Sequence, residues 1–409
     1  MRKALSAVVL VALVSCGQSA LKPASTGPSP KPFDPPSSWT LFLTSDQSVQ
    51  QGYSRTPLDA ATLKDAGAAV AGHGYATASA DGSTLVEVDY KPDVTSSISI
   101  TDARTGALRT SFQSPIATGP ALTADGTRLL AFDSSGHSYR VYDTRTGRVT
   151  GSLETLDSPC CNIFSAWLDP TGAYLYGILV PGSGYNATGP VTPVLVRYDL
   201  HAGRENARLR LTGVAAGVWR NGQTIGSEQE TTILQPGAAL SPDGSQLAVL
   251  YADGSRLMTI DPIGMKITAT RPIVVPSAPT SWLGVGPIEA DAKAEVGTIW
   301  SINYSPDGRR LIAAAHELTI DPTSRVSTSR GLGVRIIDIP SATVTADRRG
   351  LDLGQIAYAP DSTALFATSW TDGNDGQRRT VVLRLDPSNL ATAAQREFIG
   401  FRWLLLLAR

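Results

Sequence analysis

Two adjacent cysteines, Cys160 and Cys161, are the reactive side chains that the sequence places side by side, and the chain has one other, Cys16. Neighbouring α-carbons lie about 3.8 Å apart, below the range of about 4.4–6.8 Å that disulfides usually join. A bond between these two sulfurs would be strained and would close almost no loop, so it would add little stability. We expect a vicinal disulfide that stiffens one turn. Two free thiols, or a redox-active or metal-binding pair, are the alternatives.

Other residues with catalytic potential are scattered along the chain. The four histidines, at positions 73, 137, 201 and 316, lack the spacing of a metal-binding helix. The sequence contains no G-x-S-x-G elbow, P-loop or dinucleotide-binding fingerprint. The acidic segment 372–376 departs from the spacing of a calcium loop, so it predicts a turn. The sequence thus predicts no catalytic residue, no metal and no cofactor.

The N-terminus has the pattern of an export signal. Arg2 and Lys3 precede an apolar run over residues 4–14, which is too short to span a bilayer as a helix. The run ends in L-V-S-C at residues 13–16, which resembles the lipobox of bacterial lipoproteins. That resemblance implies cleavage before Cys16 and a lipid on its sulfur, whereas an ordinary secretory signal is the alternative. We expect a signal peptide over residues 1–15.

Composition and charge indicate where in the cell the protein acts and which classes of partner it can bind. Residues 16–37 are rich in Pro, Ser and Gly, which predicts a tether between the lipid and a folded domain over 38–409. With 35 basic and 36 acidic residues, no net field attracts nucleic acid or an anionic surface. We expect a protein of the bacterial cell envelope, outside the cytoplasm, that touches the membrane through its lipid anchor only and binds no nucleic acid.

A turn motif of the type S-P-D-G, with a leucine three residues later, recurs along the chain. It occupies residues 79–82, 123–126, 169–172, 241–244, 305–308 and 359–362. Asp-Gly between β-rich runs favours a tight hairpin, because both residues tolerate positive φ. The repeat therefore predicts six hairpins built to one plan.

A second motif is an alternating strand that ends in aspartate, often followed by Thr-Gly. Its aspartates are Asp59, Asp102, Asp143, Asp199, Asp261, Asp338 and Asp386. These seven exceed the six hairpin turns, because the N-terminal copy lacks its first strand while the chain ends in an unmatched apolar run over 402–407. We expect the last strand to complete the first repeat and close a ring. A continuous apolar run suits a strand covered on both faces.

These two motifs resemble those of the WD40-like, YVTN and TolB-type β-propellers of bacterial envelopes, over nearly all of residues 38–409. The resemblance implies an all-β, seven-bladed β-propeller closed by pairing the C-terminal strand with the N-terminal blade. Propellers host unrelated activities, so the fold alone does not identify a function. Quinoprotein dehydrogenases carry a tryptophan after their D-x-x-T-G motif, which this chain lacks, so no quinone is expected.

In such a propeller the repeated turns share one rim, and the long connections share the other. The connections over 181–193, 214–236, 276–297 and 316–331 are long and individual. Long loops in a compact fold are typical of binding sites. Exposed Trp and Arg are common interface anchors, although each Trp could instead cap its own loop. The predicted binding face comprises Tyr185, Trp219, Arg220, Trp282 and Trp370.

The inner strands begin at the axial mouth on the same rim. Residues predicted there are His73, Asn162, Gln235, Thr298 and Gln355, and the cysteine pair precedes the inner strand over 163–168. These side chains offer hydrogen bonds to a small polar ligand but not the carboxylates of a calcium site. The sequence therefore favours a non-catalytic propeller that binds an envelope protein, a peptide or a glycan on its long-loop rim. A lactonase-like hydrolase that uses the axial pocket is the alternative.

Overall fold

The computed structural model describes residues 39–46, 53–72, 75–79, 81–90, 95–103, 105–115, 117–123, 125–133, 138–154, 163–181, 189–221, 230–276, 295–320, 327–372 and 377–408. Within these ranges all regular secondary structure is β-strand, in seven sheets. No helix that could cross a membrane is found in this part of the chain. The described residues form a seven-bladed β-propeller, as the repeats predict.

Each blade is an antiparallel sheet of four strands, called A to D from the axis outward. In blade 1, B to D are β1 (Trp39–Asp46), β2 (Tyr53–Leu58) and β3 (Val70–Gly72). Blade 2 contains β4 (Tyr75–Ala78), β5 (Thr84–Tyr90), β6 (Thr95–Asp102) and β7 (Leu108–Pro115). Blade 3 contains β8 (Ala117–Leu122), β9 (Arg128–Asp133), β10 (Ser138–Asp143) and β11 (Val149–Glu154). Blade 4 contains β12 (Ile163–Leu168), β13 (Tyr174–Leu179), β14 (Val194–Asp199) and β15 (Arg204–Arg210).

The remaining strands include one added hairpin. It comprises β16 (Gly217–Asn221) and β17 (Glu230–Gln235). Blade 5 contains β18 (Gly237–Leu240), β19 (Leu247–Leu250), β20 (Arg256–Asp261) and β21 (Lys266–Pro272). Blade 6 contains β22 (Glu295–Tyr304), β23 (Arg310–Ile320), β24 (Ser327–Asp338) and β25 (Thr343–Arg349). Blade 7 contains β26 (Gln355–Tyr358), β27 (Leu365–Asp372), β28 (Arg378–Leu385) and β29 (Thr392–Ile399). The last strand, β30 (Arg402–Ala408), is strand A of blade 1.

The C-terminal strand closes the ring, as the unmatched apolar run predicts. β30 pairs with β1 along its length, from Trp39 opposite Ala408 to Ser45 opposite Arg402. Leu404 packs in a cluster with Phe366 of blade 7, and Leu405 packs with Leu85 of blade 2. Alternate side chains of this strand thus enter two different blade interfaces. This double burial explains why β30 is apolar at consecutive positions rather than at every second one.

Four of the six A–B turns, those that begin at Ser79, Thr123, Ser241 and Ser305, share one side-chain hydrogen-bonding pattern. In the first, Ser79 Oγ donates to Asp81 Oδ1 (2.5 Å) and accepts from Thr84 N (3.0 Å). Gly82 has a φ of 64°, a left-handed conformation that glycine adopts without strain. The equivalent positions in the other five turns also have positive φ: Gly126, Gly172, Gly244, Gly308 and Ser362. The repeated S-P-D-G signal therefore corresponds to a real structural repeat.

The C–D turns account for the seven repeated aspartates. Each carboxylate accepts a hydrogen bond from a backbone N–H two or three residues on, as in Asp143 with Thr146 N (2.9 Å). Equivalent donors are found at Thr62, Thr105, Ala202, Gly264, Ser341 and Ser388. Ile339 N of the C–D turn in blade 6 donates to Arg309 O of the A–B turn (3.0 Å). Both turn types therefore lie on one rim, here called the turn rim, and the B–C and D–A connections form the opposite loop rim.

The glycine of an A–B turn contacts the preceding blade in some blades and not in others, so two of these glycines make a matched pair of variants. A Cβ on Gly126 would lie 2.3 Å from Thr84 Oγ1 of blade 2, whereas nothing lies within 4 Å of one on Gly308. Both glycines have positive φ, so either alanine costs about 1–2 kcal/mol of backbone strain. We expect Gly126→Ala to lower the free energy of unfolding by about 1 kcal/mol or more beyond Gly308→Ala, measured by urea denaturation. Equal losses would mean that Thr84 moves aside at no cost.

Candidate functional site

Blade 6 extends beyond the loop rim. Its strands β22, β23 and β24 have 10, 11 and 12 residues, whereas strands A to C of the other blades have four to eight. β22 and β23 both start or end at the A–B turn on the turn rim, so their extra residues lie at the opposite end. At about 3.3 Å per residue, the extension is on the order of 15 Å. One blade therefore stands above the others on the rim predicted to bind.

The added hairpin enlarges this extension. β17 pairs in parallel with β22, with Ile233 opposite Gly297 and Gln235 opposite Ile299, and β16 pairs with β17. The result is a six-stranded sheet in which β16 is an edge strand. We call β16, β17 and residues 295–298, 317–320 and 327–330 the raised sheet. It lies where the chain passes from blade 4 to blade 5 and from blade 5 to blade 6.

The prediction that 214–236 and 316–331 are loops was wrong for 11 of the 23 residues in the first segment and 10 of the 16 in the second. Residues 217–221 and 230–235 are strands, as are 316–320 and 327–331. The physical reason is that backbone N–H and C=O groups in long insertions need partners. Two insertions and one extended hairpin lie close together here, and each supplies hydrogen bonds to the next. Residues 222–229, 277–294 and 321–326 lie outside the described residues.

Two side-chain contacts hold the base of the raised sheet. Arg330 Nη2 lies 2.6 Å from Glu317 Oε2 across β23 and β24. His316 Nδ1 lies 3.3 Å from Asp352 Oδ1, in the connection that leads to blade 7. Gly331 makes this approach possible, because a Cβ there would lie 2.3 Å from the Asp352 Cα. The sheet is thus held at its root on the side of blade 7.

A buried arginine lies beneath the raised sheet in blade 6. Arg335 is buried, with its guanidinium carbon 5.9 Å from the centre of the Trp300 ring and its Nε 3.7 Å from Asp347 Oδ1. Burial lowers the pKa of Arg335 to about 10, although the nearby Asp347 opposes this shift. Trp300 Nε1 donates to Ala252 O of blade 5 (2.8 Å). These contacts join blades 5 and 6 below the hairpin.

A row of half-buried aromatic rings lies on the loop rim across blades 7, 1 and 2. Trp370 stacks on Phe401 with ring centres 4.5 Å apart, and Phe401 meets Trp403 edge to face at 4.7 Å. Trp403 in turn meets Tyr75 of blade 2 edge to face at 6.0 Å. Burial raises the pKa of Tyr75. The row spans the seam where the C-terminal strand enters the ring.

Three of the five predicted axial-mouth residues lie in described strands. Gln235 and Thr298 occupy the adjacent parallel strands β17 and β22, where Gln235 lies opposite Ile299 and Thr298 lies opposite Leu234. Because successive side chains of a strand alternate between faces, these two point to opposite faces of the sheet. Gln355 Oε1 accepts from Leu404 N (2.8 Å) and its Nε2 donates to Leu404 O (3.1 Å). The Gln355 amide therefore joins the inner strands of blades 7 and 1. His73 and Asn162 lie outside the described residues.

The predicted binding-face residues are placed only in part. The backbone of Trp219 and Arg220 lies in β16, opposite Thr232 and Thr231. Trp370 lies at the loop-rim end of β27, against Phe401 and Gly354. Tyr185, Trp282 and the three cysteines, Cys16, Cys160 and Cys161, lie outside the described residues, so their predicted roles stay predictions.

Sequence reasoning missed the other members of the aromatic row. Phe401 and Trp403 flank Arg402 at the start of the apolar run, and that spacing was a usable signal for ring contacts beside the closing strand. Tyr75 gave no local signal, because its contact with Trp403 depends on ring closure. Within the described part of the chain, no group of three or more His, Cys, Asp or Glu side chains could hold a metal ion.

Comparison with known proteins identifies no family for this chain. No protein-family model matches the chain, and no curated protein matches it. Among solved structures, it is similar to the periplasmic gluconolactonase PpgL of Pseudomonas aeruginosa, with a TM-score of 0.49, 15% identity and coverage of 90% of this chain and 98% of that one. It is also similar to the β-propeller domain of Cps50 (Swd1) from Myceliophteria thermophila, with a TM-score of 0.47, 12% identity and coverage of 80% of this chain and 87% of that one. A third similar structure is hydrazine synthase of Kuenenia stuttgartiensis, with a TM-score of 0.43, 17% identity and coverage of 75% of each chain.

The position of Trp370 can be tested through the glycine beneath it. A Cβ on Gly354 would lie 1.9 Å from the Trp370 ring, whereas nothing lies within 4 Å of one on Gly189, which is also on the loop rim. We expect Gly354→Ala to displace the indole from Phe401 and to lower the free energy of unfolding by about 1–3 kcal/mol, as overpacking does. Near-ultraviolet circular dichroism and urea denaturation measure the two effects, with Gly189→Ala as the control. An unchanged spectrum would show that the ring has room to shift.

Proposed function

We propose that this propeller is a non-catalytic binding module of the bacterial envelope, held there by a lipid on Cys16, and that it takes a partner protein on the raised sheet. The observation that carries the proposal is the six-stranded sheet on the loop rim, built from two interblade insertions and one extended hairpin. None of these additions is needed to complete a blade. Each of the other blades has four strands.

The edge strand of the raised sheet supports a protein partner. A strand at the edge of a sheet presents backbone N–H and C=O groups to which an extended segment of another chain can pair. β16 has this position, and Trp219 and Arg220 belong to it. Trp and Arg are enriched among the residues that dominate interface energetics. Backbone pairing with β16 would supply affinity.

The described residues among those predicted at the axial mouth favour binding over catalysis. Gln235, Thr298 and Gln355 offer hydrogen bonds but no group that exchanges protons near neutral pH. The Gln355 amide is also bonded to the backbone of Leu404. A hydrolase would need a general acid or base within reach of its substrate.

The membrane anchor has a direct test. Cys16→Ser keeps the signal sequence but removes the thiol to which lipid would attach. We expect the native protein to remain with membranes after a high-salt wash and to incorporate labelled palmitate. The variant should enter the soluble fraction and incorporate none. Label incorporation by both proteins, or membrane retention of both, would rule out attachment through this cysteine.

The partner proposal is tested by shortening the raised sheet. Glu317 and Arg330 face each other in β23 and β24, so residues 318–329 can be replaced by Asn-Gly, a two-residue hairpin connection. We expect chemical cross-linking in cells that produce the protein to capture a defined partner with the native chain. The shortened variant should lose that partner by about tenfold or more, as quantified by mass spectrometry.

Controls separate the raised sheet from other effects. Arg309→Glu changes the exposed turn rim of the same blade and should capture the partner normally. Equal capture by the native and shortened proteins would overturn the proposal. A partner lost from the Arg309→Glu variant would place the contact on the turn rim instead. Binding of the native protein to a glycan array, without any protein captured, would favour a glycan ligand.

A further inference from the structure

Three consecutive blade interfaces are joined in the same way. An arginine on the outermost strand of one blade donates to a backbone carbonyl in the C–D turn of the next. The pairs are Arg271 with Pro340, Arg348 with Leu390 (3.0 Å) and Arg396 with Leu63 (3.0 Å). We call Arg271, Arg348 and Arg396 the interblade arginines. They link blade 5 to 6, blade 6 to 7 and blade 7 to 1.

Their place in the register is constant. Each lies opposite an apolar residue of strand C, four positions before the aspartate of its own C–D turn. These opposing residues are Leu257, Val334 and Val382. In blade 1 the equivalent pair is Arg55 on strand C and Val70 on strand D. The arginine and the apolar residue have therefore exchanged strands.

This exchange leaves the C–D turn of blade 2 without an arginine from strand D of blade 1. Arg55 extends inward, where its Nη2 lies 3.7 Å from Oε1 of Glu87, which is 2% exposed. β3 carries only Val, Ala and Gly, so no side chain of this strand can donate to the C–D turn of blade 2. Beside that turn lies a cleft of about 570 Å³, lined by residues of both blades.

Other interfaces are filled at this level by different means. Between blades 2 and 3, the Phe112 ring of blade 2 packs against Gly147 of blade 3. A Cβ on Gly147 would lie 2.6 Å from that ring. Between blades 3 and 4, the backbone of Gly151 packs against Leu200. A Cβ on Gly151 would lie 3.1 Å from the Leu200 carbonyl oxygen. Between blades 4 and 5, Arg197 donates to Ile263 O. The cleft therefore occurs at a position that side chains or close backbone contacts occupy elsewhere in the ring.

The walls of the cleft suit a guanidinium on an aliphatic stem. Val70 and Leu108 are 53% and 63% exposed at its edge. Glu87 and Asp102 contribute carboxylates, and Arg55 is the single basic residue among the lining residues described. Asp102 accepts from Arg109 Nη2 (2.6 Å), and a carboxylate can accept further hydrogen bonds. Gly106, in the C–D turn of blade 2, lines the cleft with its backbone, because it has no side chain to cover that backbone.

We propose that this cleft binds an arginine side chain from an extended segment of a partner protein. The guanidinium takes the place of the missing interblade arginine: it donates to the carbonyls of the C–D turn of blade 2 and lies near Asp102 and Glu87. Its methylene groups pack between Val70 and Leu108, as arginine stems commonly do on apolar surface. The planar fork of five N–H donors suits several oxygen acceptors better than a lysine ammonium does. This site is on the flank of blades 1 and 2, separate from the raised sheet of blade 6.

The test uses the full-length protein in detergent and two defined probes. One is the peptide acetyl-Leu-Arg-Leu-amide, and the other carries citrulline, a neutral isostere, in place of arginine. Isothermal titration calorimetry measures both affinities. We expect the arginine peptide to bind and the citrulline peptide to bind about tenfold or more weakly, since hydrogen bonds from a charged donor are lost.

Matched variants locate the site. Leu108 and Val149 are the first residues of strand D in blades 2 and 3, both six positions after their turn aspartate, and both are largely exposed (63% and 49%). Leu108→Arg places a competing cation at the cleft, whereas Val149→Arg adds the same charge outside it. Val70→Arg restores the interblade arginine from within the chain. We expect Leu108→Arg and Val70→Arg to abolish binding and Val149→Arg to leave it within twofold.

Several results would overturn the proposal. They are no binding of the arginine peptide at millimolar concentration, equal binding of the citrulline peptide, and binding retained by Leu108→Arg. Loss of binding in Val149→Arg to the same extent would show only general charge repulsion, and it would overturn the proposal as well. If Val70→Arg does not fold, Leu108→Arg decides alone, because its side chain is exposed.

Discussion

The pairing of β30 with β1 is the constraint on which the rest of the structure depends. An open array of blades would leave one inner strand missing and two blade faces uncovered. β30 supplies that strand, and its side chains enter both neighbouring interfaces, with Leu404 toward blade 7 and Leu405 toward blade 2. Gln355 adds a reciprocal hydrogen-bonded pair to the backbone of Leu404. The aromatic row from Trp370 to Tyr75 covers the same seam on the loop rim.

Closure divides the molecule into a regular rim and a variable one. On the turn rim, short-range hydrogen bonds of Ser, Thr and Asp repeat from blade to blade, so the connections there have little freedom to change. On the loop rim, insertions do not disturb the blades that carry them, because surface connections tolerate added length. The raised sheet of blade 6 is the result. Its strands pair with one another, and the His316–Asp352 contact secures their root to blade 7.

The two proposed sites arise from departures from the repeat, but of different kinds. The raised sheet adds residues where the repeat has none, and it provides a strand edge. The cleft between blades 1 and 2 changes no chain length in the paired strands; Arg55 and Val70 exchange the two chemical roles that strands C and D have in blades 5 to 7. Because β3 carries no other side chain that can reach the C–D turn of blade 2, the exchanged pair leaves a space there.

The sequence by itself determined the blade number and the turns, because the turn motifs are encoded by neighbouring residues, and it indicated the ring closure through the number of those motifs. Asp81 and Gly82 specify an A–B turn through hydrogen bonds and φ that span only a few positions, and the excess of turn aspartates over A–B turns indicated the missing strand. Only the tertiary structure decided what 214–236 becomes, since Ile233 pairs with Gly297, far along the chain. It also decided that Val70 takes the place of an interblade arginine. That equivalence depends on strand register, and the turn before β3 is longer than in blades 5 to 7.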